Sequence, residues 1–283
     1  MCHKIFIEER WLFNFFNWKK VNLILIILLI MTSFCACAAK PNSNVKPKVN
    51  VVENDNNEIV EIDTFIFDDL LPYDESKLKI AFIGDSITYG YKTSDPETMS
   101  YPAQLNEMLE NRYAIGNFGK NAAYVLDAED KFNVKKDAKD RSYRYTEEYL
   151  KSKEYNPDVV IIMLGINDIR SIYALTEAQD DFVDTLVSLA SEYYEQESVK
   201  KVYIATSIIN HSNTTFIKEF ADGPLAELQK KAAEKGNFEV IDIYEMTKDK
   251  LSNSDFFDDD NIHLNEKGYK IIAEEFYNFL INK

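Results

Sequence analysis

From residue 77 onward, short apolar runs alternate with longer amphipathic stretches, a pattern that predicts strand and helix units feeding a parallel sheet. Five runs predict strands, at 78–84, 113–118, 158–165, 201–207 and 238–243. The third and fourth are apolar at successive positions, as in Val159-Val160-Ile161-Ile162-Met163-Leu164, which marks strands buried on both faces. Helices are predicted in the gaps. One covers 102–111, with Ser100 and Pro102 at its start; a second covers 176–196 after a capping threonine; a third covers 224–235 and ends at Gly236; the last covers 265–282. Residues 124–155 are too many for one simple helix and predict a loop followed by a helix around 144–153.

Five parallel strands joined by right-handed crossovers give a three-layer α/β/α sandwich, flavodoxin-like, with strand order 2-1-3-4-5. All strand C-termini then share one edge, where open α/β sheets bind ligands. With 283 residues, 46% hydrophobic and 28% charged, the chain has material for one sizeable core, placed at 76–283. A formal net charge of −16 excludes a nucleic-acid surface as the main partner.

Ahead of that body the pattern changes. Lys19 and Lys20 precede an uncharged stretch, 21–39, whose apolar centre at 23–31 fits the hydrophobic region of a signal peptide. Residues 1–39 therefore predict an export leader with three endings: cleavage after Ala36 with lipidation of Cys37, cleavage after Ala38, or retention as a membrane anchor. Each places the body outside the cytoplasm, secreted or anchored to the cell surface. Translation from Met31 without a leader is the alternative. Residues 40–57 hold no persistent period and read as a tether, while 58–73, with Ile62, Phe65 and Phe67, read either as an added strand or as a segment draped on the domain. Cys2, Cys35 and Cys37 all lie in the leader, so the body forms neither a disulfide nor a thiolate metal site.

The candidate chemistry falls at strand ends. Gly84-Asp85-Ser86-Ile87-Thr88 follows the first strand, Gly165-Ile166-Asn167-Asp168 follows the third, and Asp260-Asn261-Ile262-His263 stands near the C-terminus. A serine hydroxyl is a weak nucleophile until a base takes its proton, and the base works best with its tautomer held by a third group. Of the two histidines in the body, His263 has Asp260 close by, whereas His211 has no local acidic partner and reads as a solvated loop histidine. The Ser86 turn lacks the lysine and glycines of a P-loop, and Thr88 breaks the Gly-x-Ser-x-Gly elbow. Asp258, Asp259 and Asp260 invite a calcium reading, but a solvated acidic loop is preferred, with no metal and no cofactor expected.

Together the three clusters resemble the SGNH/GDSL hydrolases over roughly residues 77–280. The resemblance implies Ser86 as nucleophile, His263 as general base and then acid, and Asp260 as the residue orienting His263. It further implies an oxyanion hole made of the Ser86 N–H, the Asn167 side chain and a backbone N–H after strand two. Where the family has glycine at that last position this chain has Ala122, and an alternative register uses Gly119. Ser100-Tyr101-Pro102-Ala103 and the 159–165 strand are similar to the carbohydrate O-acetylesterase branch, implying an ester or acetylated glycan as substrate. A lipase or thioesterase of the same superfamily, or a surface glycan-binding protein without turnover, are the alternatives.

Overall fold

Side chains on a strand alternate between faces, and in this protein that parity divides one core into two. Ala81, Ile83, Val160, Ile162, Val202 and Ile204 point into one buried cluster. Their neighbours Ile80, Phe82, Val159, Ile161, Met163, Tyr203 and Ala205 point into the other. A sheet apolar on both faces has to be covered by helices on both sides.

The computed structural model describes residues 50–53, 59–62, 77–127, 141–173 and 175–282, and the chain divides into two units, Met1–Asp63 and Thr64–Lys283. In the first unit β1 (Asn50–Glu53) pairs antiparallel with β2 (Ile59–Ile62), from Asn50 opposite Ile62 to Glu53 opposite Ile59. Residues 50–53, read above as tether, are therefore paired strand. Val51 and Val52, and Ile59, Val60 and Ile62, are β-branched and favour extended backbone, a preference too brief to register as a period. The leader, with Cys35 and Cys37, lies outside the described residues.

The second unit runs β3 (Lys79–Gly84), α1 (Ser86–Tyr89), α2 (Pro96–Met99), α3 (Tyr101–Met108), β4 (Ala114–Gly119), α4 (Glu147–Glu154), β5 (Val159–Met163), α5 (Ile169–Ile172) and α6 (Thr176–Tyr194). It continues with β6 (Lys201–Ala205), α7 (Thr215–Ala221), α8 (Pro224–Gly236), β7 (Glu239–Ile241), α9 (Ile243–Thr247) and α10 (Glu266–Ile281). The sheet is parallel throughout, in the order β4-β3-β5-β6-β7, which is the 2-1-3-4-5 arrangement read from the sequence.

Departures from the expected elements have local causes. β7 stops at Ile241 because the Asp242 side chain turns to accept from the Glu245 N–H (3.2 Å) and caps α9. α6 begins at Thr176 itself, preceded by Leu175, which supplies no side-chain cap. Ser100 does not cap α3 either; its Oγ lies 3.2 Å from the Asn117 amide nitrogen, in hydrogen-bond contact.

One polar residue sits on the buried stripe of α8. Gln229, fully buried among Leu225, Ala226, Ala232 and Ala233, donates to the Leu164 carbonyl (2.7 Å) and the Ser207 hydroxyl (2.8 Å), and accepts from the Ser207 N–H (2.7 Å). It ties together the segments that leave β5 and β6. Gln229→Leu leaves the Ser207 N–H and the Leu164 carbonyl without this partner, and should cost about 2–4 kcal/mol, read as a lower urea midpoint at unchanged slope.

Candidate active site

Ser86 is placed by the sharp junction of β3 and α1. Asp85 caps the helix, accepting from the Ile87 N–H at 2.9 Å, and the Ser86 carbonyl receives the N–H groups of Gly90 (3.1 Å) and Tyr91 (3.0 Å). Helix α1 lies so close to the sheet that a Cβ on Gly119 would fall 2.1 Å from the Tyr89 nitrogen, so only glycine fits there. Asn117 closes the join: its amide nitrogen donates to the Thr88 carbonyl (2.9 Å), and its oxygen accepts from the Gly119 N–H (2.9 Å). The Gly119 N–H is therefore already engaged within the strand end.

The imidazole comes from the loop before α10, and that loop is shaped by the carboxylate beside it. Asp260 Oδ1 accepts from the N–H groups of Ile262 (2.9 Å) and His263 (2.8 Å), while Oδ2 lies 2.6 Å from His263 Nδ1. His263 Nε2 is 2.8 Å from Ser86 Oγ. Burial pushes the Asp260 pKa up, but the hydrogen bonds from the His263 backbone and ring and from the Ile262 N–H outweigh it, and the net shift is downward. An ionised Asp260 can only accept, so Nδ1 carries the proton and Nε2 is free to accept from the serine hydroxyl.

His211 is a loop histidine, as expected, but only partly solvated. Its ring, half-buried, packs edge-on against Phe257 at 4.8 Å, its Nε2 lies 3.0 Å from the Leu251 carbonyl, and its backbone N–H donates to Asn261 O (2.8 Å). It braces the loop that carries Asp260 and His263. The acidic run beside them is paired within the protein: Lys92 bonds to Asp258 (3.5 Å) and Asp259 (2.7 Å), and Asp260 is engaged with His263. Among the described residues no group of three or more His, Cys, Asp or Glu is disposed to hold a metal.

The third cluster grips the segment after β4. Ala123 N–H bonds to Lys120 O at 3.1 Å, closing a turn whose third residue, Ala122, has φ 60°. A positive φ at that position is the mark of a type II turn, which glycine fills without strain. Asn167 donates to the Ala123 carbonyl (3.0 Å), keeping its second amide hydrogen available. Asp168, fully buried, accepts from the N–H groups of Val125 and Leu126, both at 2.9 Å. Among the described residues, neither Ser86 N–H nor Ala122 N–H has a hydrogen-bond acceptor. The sequence signal for this role of Asp168 is a second polar residue at the end of an otherwise apolar strand.

Two carboxyls are buried beneath this edge. Desolvation raises Asp85 to about 7 against the N–H bond from Ile87, and raises Asp168 to about 7 against the N–H groups of Leu126 and Val125, with the charge of Asp85 adding to the rise.

A doubly wound parallel sheet with a serine, a histidine and an aspartate in hydrogen-bonded series at its C-terminal edge has the make-up of a serine hydrolase. Residues 82–271 match the profile of the GDSL-like lipase/acylhydrolase family, and the chain belongs to that family. An acetylxylan esterase of Xylanibacter ruminicola is 26% identical over 218 residues, which cover 71% of this chain and 42% of that protein; the chain thus spans less than half of that relative. Two solved structures share the fold. Axe2, an acetylxylan esterase from Geobacillus stearothermophilus, is 22% identical with a TM-score of 0.53, covering 72% of this chain and 94% of its own. A carbohydrate acetylesterase family member from Sinorhizobium meliloti is 17% identical with a TM-score of 0.53, covering 72% and 97%.

Two outcomes follow from this geometry. Ala122→Gly relieves a left-handed alanine, and although glycine also frees the unfolded chain, the net effect should be a gain of up to about 1 kcal/mol, seen as a higher Tm; a lower Tm would contradict the strain. For Asp85, a folded pKa of about 7 lies above the ordinary value of 3.8, so its contribution to stability is fully present below that value and is lost as pH rises through 7. Urea titrations between pH 4 and 7 should show stability falling with pH, by up to about 1.4 kcal/mol per unit for each such carboxyl, and falling less steeply in Asp85→Asn.

Proposed function

We propose that the protein is an exported serine esterase that removes acetyl groups from a carbohydrate, with Ser86, His263 and Asp260 as its catalytic triad. The observation that carries this reading is the relay itself, Ser86 Oγ to His263 Nε2 at 2.8 Å and His263 Nδ1 to Asp260 Oδ2 at 2.6 Å. Ser86 Oγ attacks the ester carbonyl as its proton passes to His263 Nε2, and the imidazolium is stabilised by Asp260. The tetrahedral oxyanion is met by the N–H groups of Ser86 and Ala122 and by the Asn167 amide. Collapse expels the alcohol, which takes the proton from His263 and leaves acetyl-Ser86. Water, deprotonated by His263, then attacks the acyl-enzyme; collapse breaks the bond to Ser86 Oγ, which takes the proton back from His263, and acetate leaves.

The acetylated-glycan part of the proposal is supported by the acetylxylan and carbohydrate acetylesterases among the similar proteins. Export is supported by Lys19, Lys20 and the uncharged stretch behind them, with Cys37 as the candidate lipid attachment that would hold the body at the cell surface.

The test is hydrolysis of p-nitrophenyl acetate, butyrate and octanoate beside acetylated xylan. The proposal expects acetate to be preferred and acetate to be released from the polymer; preference for octanoate would make the protein a lipase or thioesterase instead. Ser86→Ala and His263→Ala should each remove nearly all activity with the fold intact, whereas His211→Ala should lower Tm and retain turnover. A loss in His211→Ala as deep as in His263→Ala would overturn the assignment of a single base. Asn167→Ala should lower kcat by roughly a hundred- to a thousandfold with little change in KM, and a change confined to KM would make it an ordinary substrate contact.

A further inference from the structure

Between α1 and the His263 loop runs a short strap, and one of its side chains is left over once the relay has been described. Tyr91 follows Gly90, whose φ of 89° turns the chain out of the helix, and its N–H is bonded to Ser86 O. Its own carbonyl accepts from the buried Tyr269 hydroxyl at 2.8 Å. The next residue, Lys92, pairs with Asp258 and Asp259, immediately before Asp260. Tyr91 is thus fixed from both neighbours and through its own backbone. Its ring packs T-shaped against the His263 imidazole, with centroids 4.7 Å apart and planes at 67°, and Lys92 Nζ lies over the ring at 6.0 Å from its centroid, so one face is met by that cation and the other is the one left for a ligand. Even so, the residue is 41% exposed.

A rigidly held aromatic that keeps open surface is poised to cover something, and its position says which part of a substrate that is. In ester hydrolysis the imidazole returns its proton to the leaving alcohol, so the alcohol oxygen has to lie on the His263 side of the acyl carbon. Asn167 and the Ala122 turn stand with the oxyanion instead. The aromatic beside His263 therefore lies along the path of the alcohol, not of the acyl group. An acetylated sugar presents there a pyranose ring whose axial C–H groups form an apolar face, complementary to the electron-rich face of a phenol. Two other exposed tyrosines come from the same strand ends: Tyr173 is already packed against Phe216 and Phe220, and Tyr89, at the end of α1, lines a cleft with Asn117 and Gly119 and has no described ring contact with His263.

We propose that Tyr91 is the platform of a glycan subsite on the leaving-group side of Ser86, stacking the sugar ring that carries the ester. The inference rests on the carbohydrate-esterase reading and goes further by naming the residue that sets preference for a sugar alcohol over a small one. The test compares wild type with Tyr91→Leu and Tyr91→Phe on acetylated xylooligosaccharides and on p-nitrophenyl acetate, with Tm as a check on folding. Leucine keeps apolar bulk but no ring face; phenylalanine keeps the face and drops only the hydroxyl. The expected result is that Tyr91→Leu lowers the ratio of kcat/KM on the oligosaccharide to that on the aryl ester by at least about tenfold, mainly through KM, and that Tyr91→Phe restores it. An unchanged ratio, with both substrates falling equally through kcat, would overturn the subsite and leave Tyr91 as a prop for His263. Wild type that cleaves the aryl ester and none of the acetylated oligosaccharides would overturn the carbohydrate reading and the subsite with it, and that failure is visible before any variant is made.

Discussion

The carboxylate of Asp260 has three donors on it, and the arrangement of the site depends on that convergence. Two of the donors are the backbone N–H groups of Ile262 and His263, so the charge folds its own loop before it holds any ring. Asn261 takes the left-handed conformation, φ 58°, which an asparagine tolerates better than most residues. The third donor is the imidazole. Since the same carboxylate sets the loop and the tautomer, the position of Nε2 over Ser86 follows from local geometry, with no long side chain left to search for it.

Elsewhere the fold relies on buried polar groups to hold loops that apolar packing alone would leave loose. Asp168 fastens the segment after β4 through two backbone N–H groups, Gln229 fastens the ends of β5 and β6 to one helix, and Asn117 fastens α1 to the edge strand. Arg144 adds a further clamp, pairing with Asp127 and, at 3.1 Å, with Glu192 of α6. Backbone groups at the C-terminal edge cannot all be satisfied by the sheet, because the strands end there. Side chains from distant elements supply the missing partners, and a site on such loops gains precision from them.

The strand order and the long helices were legible because their signals repeat: alternate burial across the sheet, and stripes over many turns in α6, α8 and α10. The Ser86, Asn167 and Asp260–His263 clusters were legible because each joins reactive residue types to a strand end or to a short spacing. α1, α2, α5, α7 and α9 have four to seven residues each, too few turns for a period to declare itself. His211 and Gln229 were missed for another reason. Their partners are 40 residues away at Leu251 and 65 away at Leu164, and no local pattern encodes a contact of that reach. The positive φ of Ala122 could be suspected only from the glycine that the family has there, because alanine itself does not announce such a turn.

Ser86 and His263 are 177 positions apart, and the hydrogen bond between them spans nearly the whole second unit. A nascent or partly unfolded chain can pair β3 with β4 and β5, complete the nucleophile turn and bury much of one core while still lacking its base. Only docking of α10 and the loop before it brings the imidazole to Ser86. The closure of so long a loop carries an entropy cost that earlier local contacts do not share, so it belongs late in assembly and fails early in fraying. The esterase proposed here would therefore act as its own folding sensor: the ability to turn over substrate would appear only when α10 and the loop before it have been placed, and would vanish while most of the sheet was still intact.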